Sequence, residues 1–350
     1  MQNKLAWLRP LLIGVLIALL LAGCGSPADT TAGGPSPDPA GSLAADPVPE
    51  GSTGAAAGSG WPREVTDAFG ETVVIAAKPQ RVITLSLGLD EIVMALAGPE
   101  RFAAISEVAR SAYSNIAAQA QQVPETVTGD LEHVLGLNPD LLLLDGFAQP
   151  DLVAQARAAG LTIVVTDLHD TFAEHLENVE FIGYVLGEEE RAAALRAALE
   201  ERAAALAERV AAAGQGKPAP RVLHLTPSLY VPGAGTTSQD IIERAGGVNA
   251  AAEAGLEGWQ QISLEKVAEL APDVIVHDEF DAGRLRSEIL EHPSLADVPA
   301  IREGRVYEIP SRYLTTLSFW NLRGAEELAR RLWPEAFEGV TFEDFTFALD

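Results

Sequence analysis

Leu131-Glu-His-Val-Leu-Gly-Leu-Asn-Pro-Asp-Leu-Leu-Leu-Leu-Asp145 and Leu264-Glu-Lys-Val-Ala-Glu-Leu-Ala-Pro-Asp-Val-Ile-Val-His-Asp278 are two copies of one pattern. Each begins as a short helix, stops before a proline, and continues as an apolar run of buried-strand length. Flanking matches extend the repeat in the same order. Upstream, Arg81-Val-Ile-Thr-Leu-Ser86 corresponds to Arg221-Val-Leu-His-Leu-Thr226, each a strand leading on to a helix that ends in Ala-Gly. Downstream, Ala159-Gly-Leu-Thr-Ile-Val-Val165 parallels Glu303-Gly-Arg-Val-Tyr-Glu-Ile309. Three matches in one order mean a single α/β unit used twice. Because strands alternate with helices and the apolar runs lack a period of two, the sheets are expected to be parallel and covered on both faces. The predicted fold is therefore α/β, with two doubly wound lobes over residues 61–170 and 219–350 and a ligand cleft between them.

Between the copies lies a helical segment, 171–213, in which Gly187 interrupts the pattern. After it, residues 188–213 place Leu195, Leu199, Leu206 and Val210 on one face at helical spacing. At about 1.5 Å per residue such a helix is long enough to join two lobes as a strut. A single rigid crossing predicts small opening motions.

The chain starts with Lys4 and Arg9 ahead of an apolar run from Leu11 to Leu21, followed by Ala22-Gly23-Cys24. A spanning helix needs about 20 apolar residues; a positive flank, a short apolar core and small residues at the cut describe an export signal over residues 1–24. Cys24 is the only cysteine of 350 residues, so no intrachain disulfide is possible. Leu21-Ala-Gly-Cys24 resembles the bacterial lipobox, which implies lipid attachment to Cys24 after cleavage. Residues 25–60 are Gly, Ser, Ala, Pro, Asp and Thr with almost nothing large and apolar, the composition of a disordered tether. The 24 basic residues against 50 acidic give a formal charge of −26. That balance excludes nucleic acid, whose phosphates require basic stripes.

Pro79-Gln-Arg-Val-Ile-Thr-Leu-Ser86, Leu131 to Asp145, Ala245-Gly-Gly-Val-Asn249, Trp259-Gln-Gln-Ile-Ser-Leu-Glu-Lys-Val267 and Val298-Pro-Ala-Ile-Arg-Glu-Gly-Arg-Val306, in that order around a strut helix, resemble the helical-backbone class of periplasmic solute-binding proteins. These serve ABC importers of cobalamin, haem and ferric siderophores. The resemblance covers nearly the whole body and implies two Rossmann-like lobes, no enzymatic activity and no cofactor beyond the transported ligand. It also implies a monomer delivering a metal chelate to a permease dimer and its ATPase, from a lipid anchor on the outer face of the cytoplasmic membrane. In this family one glutamate on each lobe docks on permease arginines, and the matching positions are Glu91 in Leu89-Asp-Glu-Ile92 and Glu243 in Ile242-Glu-Arg-Ala245.

In open α/β sheets ligands bind beyond the carboxyl ends of the strands. The candidate lining is Leu87 and Gly88, Arg110 and Tyr113, Gly146 and Phe147, Tyr230, Trp259, Glu279 and Phe280, and Arg312 and Tyr313. Aromatic rings suit a flat macrocycle or a catecholate, and arginine suits the negative charge of many ferric chelates. Trp259 matches a cleft tryptophan of cobalamin-binding relatives, but Thr128-Gly129 stands where those relatives carry another. Haem would require an axial ligand such as Tyr113, Tyr230, Tyr313 or His277. The order of expectation is a ferric siderophore, then cobalamin, then haem. Two other readings stay open. Zinc or manganese capture needs several converging imidazoles or carboxylates, and only His169 and His175 lie close in sequence. A two-lobed enzyme would carry a nucleophile elbow, a phosphate loop or a His-Glu-x-x-His helix, and none is present.

Overall fold

The computed structural model describes residues 60–279 and 283–346. The expected export signal, Cys24, the tether up to residue 59 and Phe280 lie outside the described residues. The body opens with an antiparallel hairpin, β1 (Arg63–Thr66) and β2 (Thr72–Ile75). A parallel sheet follows, made of β3 (Val82–Thr84), β4 (Phe102–Ser106), β5 (Thr126–Val127), β6 (Leu141–Asp145) and β7 (Ile163–Thr166), in the order β5-β4-β3-β6-β7. Leu141, Leu142, Leu143 and Leu144 are all buried, because helices cover both faces and no face is left for polar alternation.

The second lobe contains β8 (Arg221–His224), β9 (Tyr230–Pro232), β10 (Val248–Asn249), β11 (Trp259–Gln261), β12 (Val274–His277) and β13 (Val306–Glu308). Four of these form a parallel sheet in the order β10-β8-β12-β13, while β9 and β11 pair as an antiparallel ribbon. The repeat is therefore spatial as well as sequential. β3 and β8, β6 and β12, and β7 and β13 take the same places in their sheets.

The shared Pro-Asp step has a physical role in each lobe. The helix Leu131–Gly136 is followed by Asn138 at φ 50°, and the helix Leu264–Leu270 by Ala271 at φ 42°. A left-handed residue ahead of a proline ends a helix sharply. The freed carbonyls are taken by an arginine at the foot of the first strand. Arg81 donates to Leu137 and Asn138, and Arg221 donates to Leu270 and Ala271. The aspartate after the proline returns the contact: Asp140 accepts from the backbone N–H of Gln80 and Arg81, and Asp273 from that of Arg221.

Gly187, at φ 69°, caps the helix Phe172–Leu186 and lets the chain turn into the strut Glu189–Gly214. Leu199, Leu206 and Val210 are buried along it, and Leu195 is half-buried. Its first turns lie so close to the preceding helix that a Cβ on Gly183 would sit 2.4 Å from that of Ala192. Its later turns hold the second lobe. Arg202 grips buried Glu326 with two bonds of 2.5 and 2.7 Å, and Arg209 donates to the Ala336 carbonyl at 3.0 Å. One rigid element is thus packed against both lobes.

Candidate ligand cleft

The loops beyond β3, β4 and β6 meet the segment Arg312–Leu317 of the second lobe around a cavity of ≈ 360 Å³. Five residues singled out in the sequence line it: Leu87, Gly88, Tyr113, Phe147 and Arg312. Ser86, Val108, Asp145, Thr315, Thr316 and Leu317 complete the wall. Phe147 is 66 % exposed, and Val108 and Tyr113 are about as open as surface residues, so the wall is a contiguous apolar face left to solvent. Arg312 packs its guanidinium 4.8 Å from the Tyr313 ring and donates to the Tyr313 hydroxyl at 3.2 Å. Among the described residues no carboxylate pairs with it, which leaves one cation at the cavity's edge.

Other residues expected in the lining are placed elsewhere. Arg110 turns its guanidinium back to the carbonyls of Ala120 and Val123, where it ties down the loop before β5. Glu279 accepts from both the backbone N–H and the hydroxyl of Ser311, and so caps the short helix Ser311–Leu314. Tyr313 is buried, donating its hydroxyl to Asp344 at 2.8 Å and stacking on Arg323. Tyr230 and Trp259 are exposed on the β9–β11 ribbon beyond β8 and do not line the cavity, although the Trp259 ring sits edge-on to His224. Glu243 is exposed, on the helix Thr237–Arg244.

Glu91 departs furthest from expectation. Instead of a surface knob it is fully buried in the helix Leu87–Ala97, at the seam between the lobes. Its carboxylate accepts from Thr316 and Ser318 of the second lobe and from Asn115 of the first. Asn115 also donates to the Arg312 carbonyl at 2.8 Å. The neighbouring Asp90 accepts from the hydroxyls of Thr84 and Ser106. Burial raises both carboxyls to about 7, against the pull of these donors. The sequence carried the acidic pair but not the second-lobe partners of Glu91, Thr316 and Ser318, which lie more than 200 residues away.

Three of the histidines, His175, His224 and His277, are interior groups. Burial lowers His224 to about 4, assisted by His277, and lowers His175 to about 3, assisted by His169. Neither ring nitrogen of His175 has a hydrogen-bond partner. His277 is buried and donates from Nδ1 to the Asp278 carbonyl, away from the cavity. Among the described residues no group of three His, Cys, Asp or Glu side chains is placed to hold a metal ion, and no helix is long and apolar enough to cross a membrane.

Comparison with known proteins agrees with this geometry. The chain is 24% identical over 329 residues, 93% of its length and 96% of the relative's, to the uncharacterized ABC transporter substrate-binding lipoprotein YvrC of Bacillus subtilis. It is 29% identical over 241 residues, 68% of its length and 64% of the relative's, to the cobalamin-binding protein of Halobacterium salinarum. The apo structure of the periplasmic haem-binding protein RhuT from Roseiflexus matches with a TM-score of 0.64 at 26% identity, covering 73% of this chain and 99% of that one. The periplasmic binding protein family model matches residues 82–313. With two parallel-sheet lobes, a packed strut and a cavity between them, the chain belongs to the periplasmic binding protein family, in its helical-backbone class of ABC-transporter substrate-binding proteins.

Proposed function

We propose that the protein captures a bulky metal chelate with an apolar body and an anionic edge, and delivers it to the permease and ATPase of an ABC importer without chemical change. The observation that carries this reading is the inter-lobe cavity, whose apolar wall of Leu87, Val108, Tyr113, Phe147 and Leu317 is met on one side by the cation Arg312, with Asp145 the one carboxylate of the lining. A flat conjugated or corrin-like body suits the wall, and peripheral carboxylates or a negatively charged chelate suit the guanidinium. Relatives described as cobalamin-binding and haem-binding support a tetrapyrrole-type ligand. The ferric siderophore, placed first from sequence, now stands second, because Arg110 no longer joins Arg312 in the cleft. For haem, Tyr113 is the tyrosine placed to approach the iron, since Tyr313 is buried and Tyr230 stands outside the cavity.

The export signal and Cys24 support a lipid-anchored protein on the outer face of the cytoplasmic membrane, with residues 25–60 as its tether. Docking requires exposed acid, and buried Glu91 does not supply it. The repeat offers an equivalent pair instead. Glu132 and Glu265 are each the second residue of matching helices and both are exposed. Those helices end at the foot of β3 or β8, so their first turns rise toward the carboxyl ends of the strands, on the cleft side. Glu243 remains a third exposed candidate.

The deciding experiment is a thermal-shift titration with haemin, cyanocobalamin, ferric siderophores of several types, zinc, manganese and molybdate. A ligand well above its dissociation constant raises stability by roughly 2–4 kcal/mol. A shift with a chelate that Arg312→Ala diminishes supports the proposal. A shift with free zinc or manganese alone overturns it.

A further inference from the structure

Glu91 lies in the first lobe, yet two of its three donors, Thr316 and Ser318, come from the second. The third, Asn115, also holds the Arg312 carbonyl, so both ends of the segment Arg312–Ser318 are fastened through one carboxylate and its amide neighbour. That segment supplies Arg312, Thr315, Thr316 and Leu317 to the cavity. The fastening is close: a Cβ on Gly88 would stand 2.5 Å from the Leu317 carbonyl oxygen, so the helix Leu87–Ala97 meets the strap where glycine alone leaves room. A buried carboxylate bonded across a domain seam is a costly group to leave unpaired. The closed arrangement satisfies it, whereas separation of the lobes removes two of its donors at once.

We propose that Glu91 is an inter-lobe latch: a positioning residue that clamps the Arg312–Ser318 strap to the first lobe and thereby holds the ligand cavity in its narrow, binding-competent form. What fastens the strap is hydrogen-bond geometry rather than charge. The hydroxyls of Thr316 and Ser318 can rotate to donate or accept, so a glutamine of the same length preserves the clamp and an alanine abolishes it. The link to ligand capture rests on the cavity being the ligand site; the link to lobe separation does not.

The test uses the chain carrying Cys24→Ser, which leaves no native cysteine. Spin labels are attached through Gln155→Cys and Ser287→Cys, exposed positions on equivalent helices of the two lobes. Inter-label distances are measured by pulsed electron resonance in this background, with Glu91→Ala, with Glu91→Gln, and with Thr316→Val plus Ser318→Ala. The expected result is a narrow distribution in the parent and in Glu91→Gln, and a longer, broader one in the other two. The Thr316/Ser318 variant breaks the same bonds from the opposite lobe, so it decides the question if Glu91→Ala does not fold. Affinity for haemin or cyanocobalamin, whichever the parent binds, falls roughly tenfold if about nine-tenths of the closed population is lost, and recovers in Glu91→Gln. Superimposable distributions in all four proteins overturn the latch, as does equal widening in Glu91→Gln and Glu91→Ala. A parent that binds neither probe counts against the ligand reading alone, because the distances still decide the latch.

Discussion

Asp90, Glu91 and His175 are buried groups whose proton affinities move in opposite senses, and this makes their contributions separable. Glu91 holds its proton up to about 7, whereas the unfolded chain releases it near 4.5. Between those values the native state binds more protons than the unfolded one, so the contribution to stability is full at low pH and is lost as pH rises to about 7. Asp90 acts in the same direction. His175 does the reverse. It charges at about 6.5 when unfolded and at about 3 when folded, so its contribution is lost as pH falls through that interval. We therefore expect Glu91→Gln to raise the unfolding midpoint relative to the parent at about pH 8 and much less at about pH 5. His175→Leu, which removes two unpartnered ring nitrogens, should gain most at the acidic end. Midpoints of the three proteins at both pH values check the signs. An equal offset at the two pH values would mean that Glu91 ionises in the folded protein as it does in water.

At the scale of elements, the paired hooks of Arg81 with Asp140 and Arg221 with Asp273 fix where a helix ends and a strand begins. Replacing Asp140 with alanine leaves the Gln80 and Arg81 N–H groups to water, and replacing Arg81 frees the Leu137 and Asn138 carbonyls. Each single change should cost about 1–2 kcal/mol. The double change should cost less than their sum, since both act on one junction. A double-mutant cycle by urea unfolding measures the coupling. These hooks also explain why the fold was legible from sequence. Leu-Asn-Pro-Asp and Leu-Ala-Pro-Asp are local signals whose partners stand at the foot of a neighbouring strand in both copies, so the repeat announced itself twice. The cleft was legible only in part. Leu87, Gly88, Tyr113, Phe147 and Arg312 follow strand ends and reach the cavity. Arg110, Glu279 and Tyr313 follow strand ends equally well, but each found a closer partner in a carbonyl, a helix N-terminus or Asp344. Such choices depend on where distant segments fold, which residue type and spacing do not encode. Glu91 shows the same limit: its motif position was visible, its burial under Thr316 and Ser318 was not.

For the molecule as a whole, the strut and the repeat together predict how the protein meets its importer. The two lobes hold Glu132 and Glu265 on equivalent helices, and the strut limits how far they drift apart. Charge reversal of both residues to arginine should abolish uptake in cells while leaving the ligand-induced thermal shift unchanged. Reversal of Glu243 in the same assay separates the two assignments. If uptake survives the double reversal and fails with Glu243, docking belongs to the helix Thr237–Arg244 instead.

The turn at Gly187 has one more consequence. Because the chain passes from one lobe to the other only there and along the strut, cutting it at this glycine breaks a single covalent link while Gly183 still nests against Ala192 and Glu91 still faces Thr316 and Ser318. The protein is in effect already divided into two complementary halves. Co-expressed as separate fragments bearing reporter modules, they should reassociate more tightly when the cavity is filled, which would turn a transport protein into a split sensor for its own cargo.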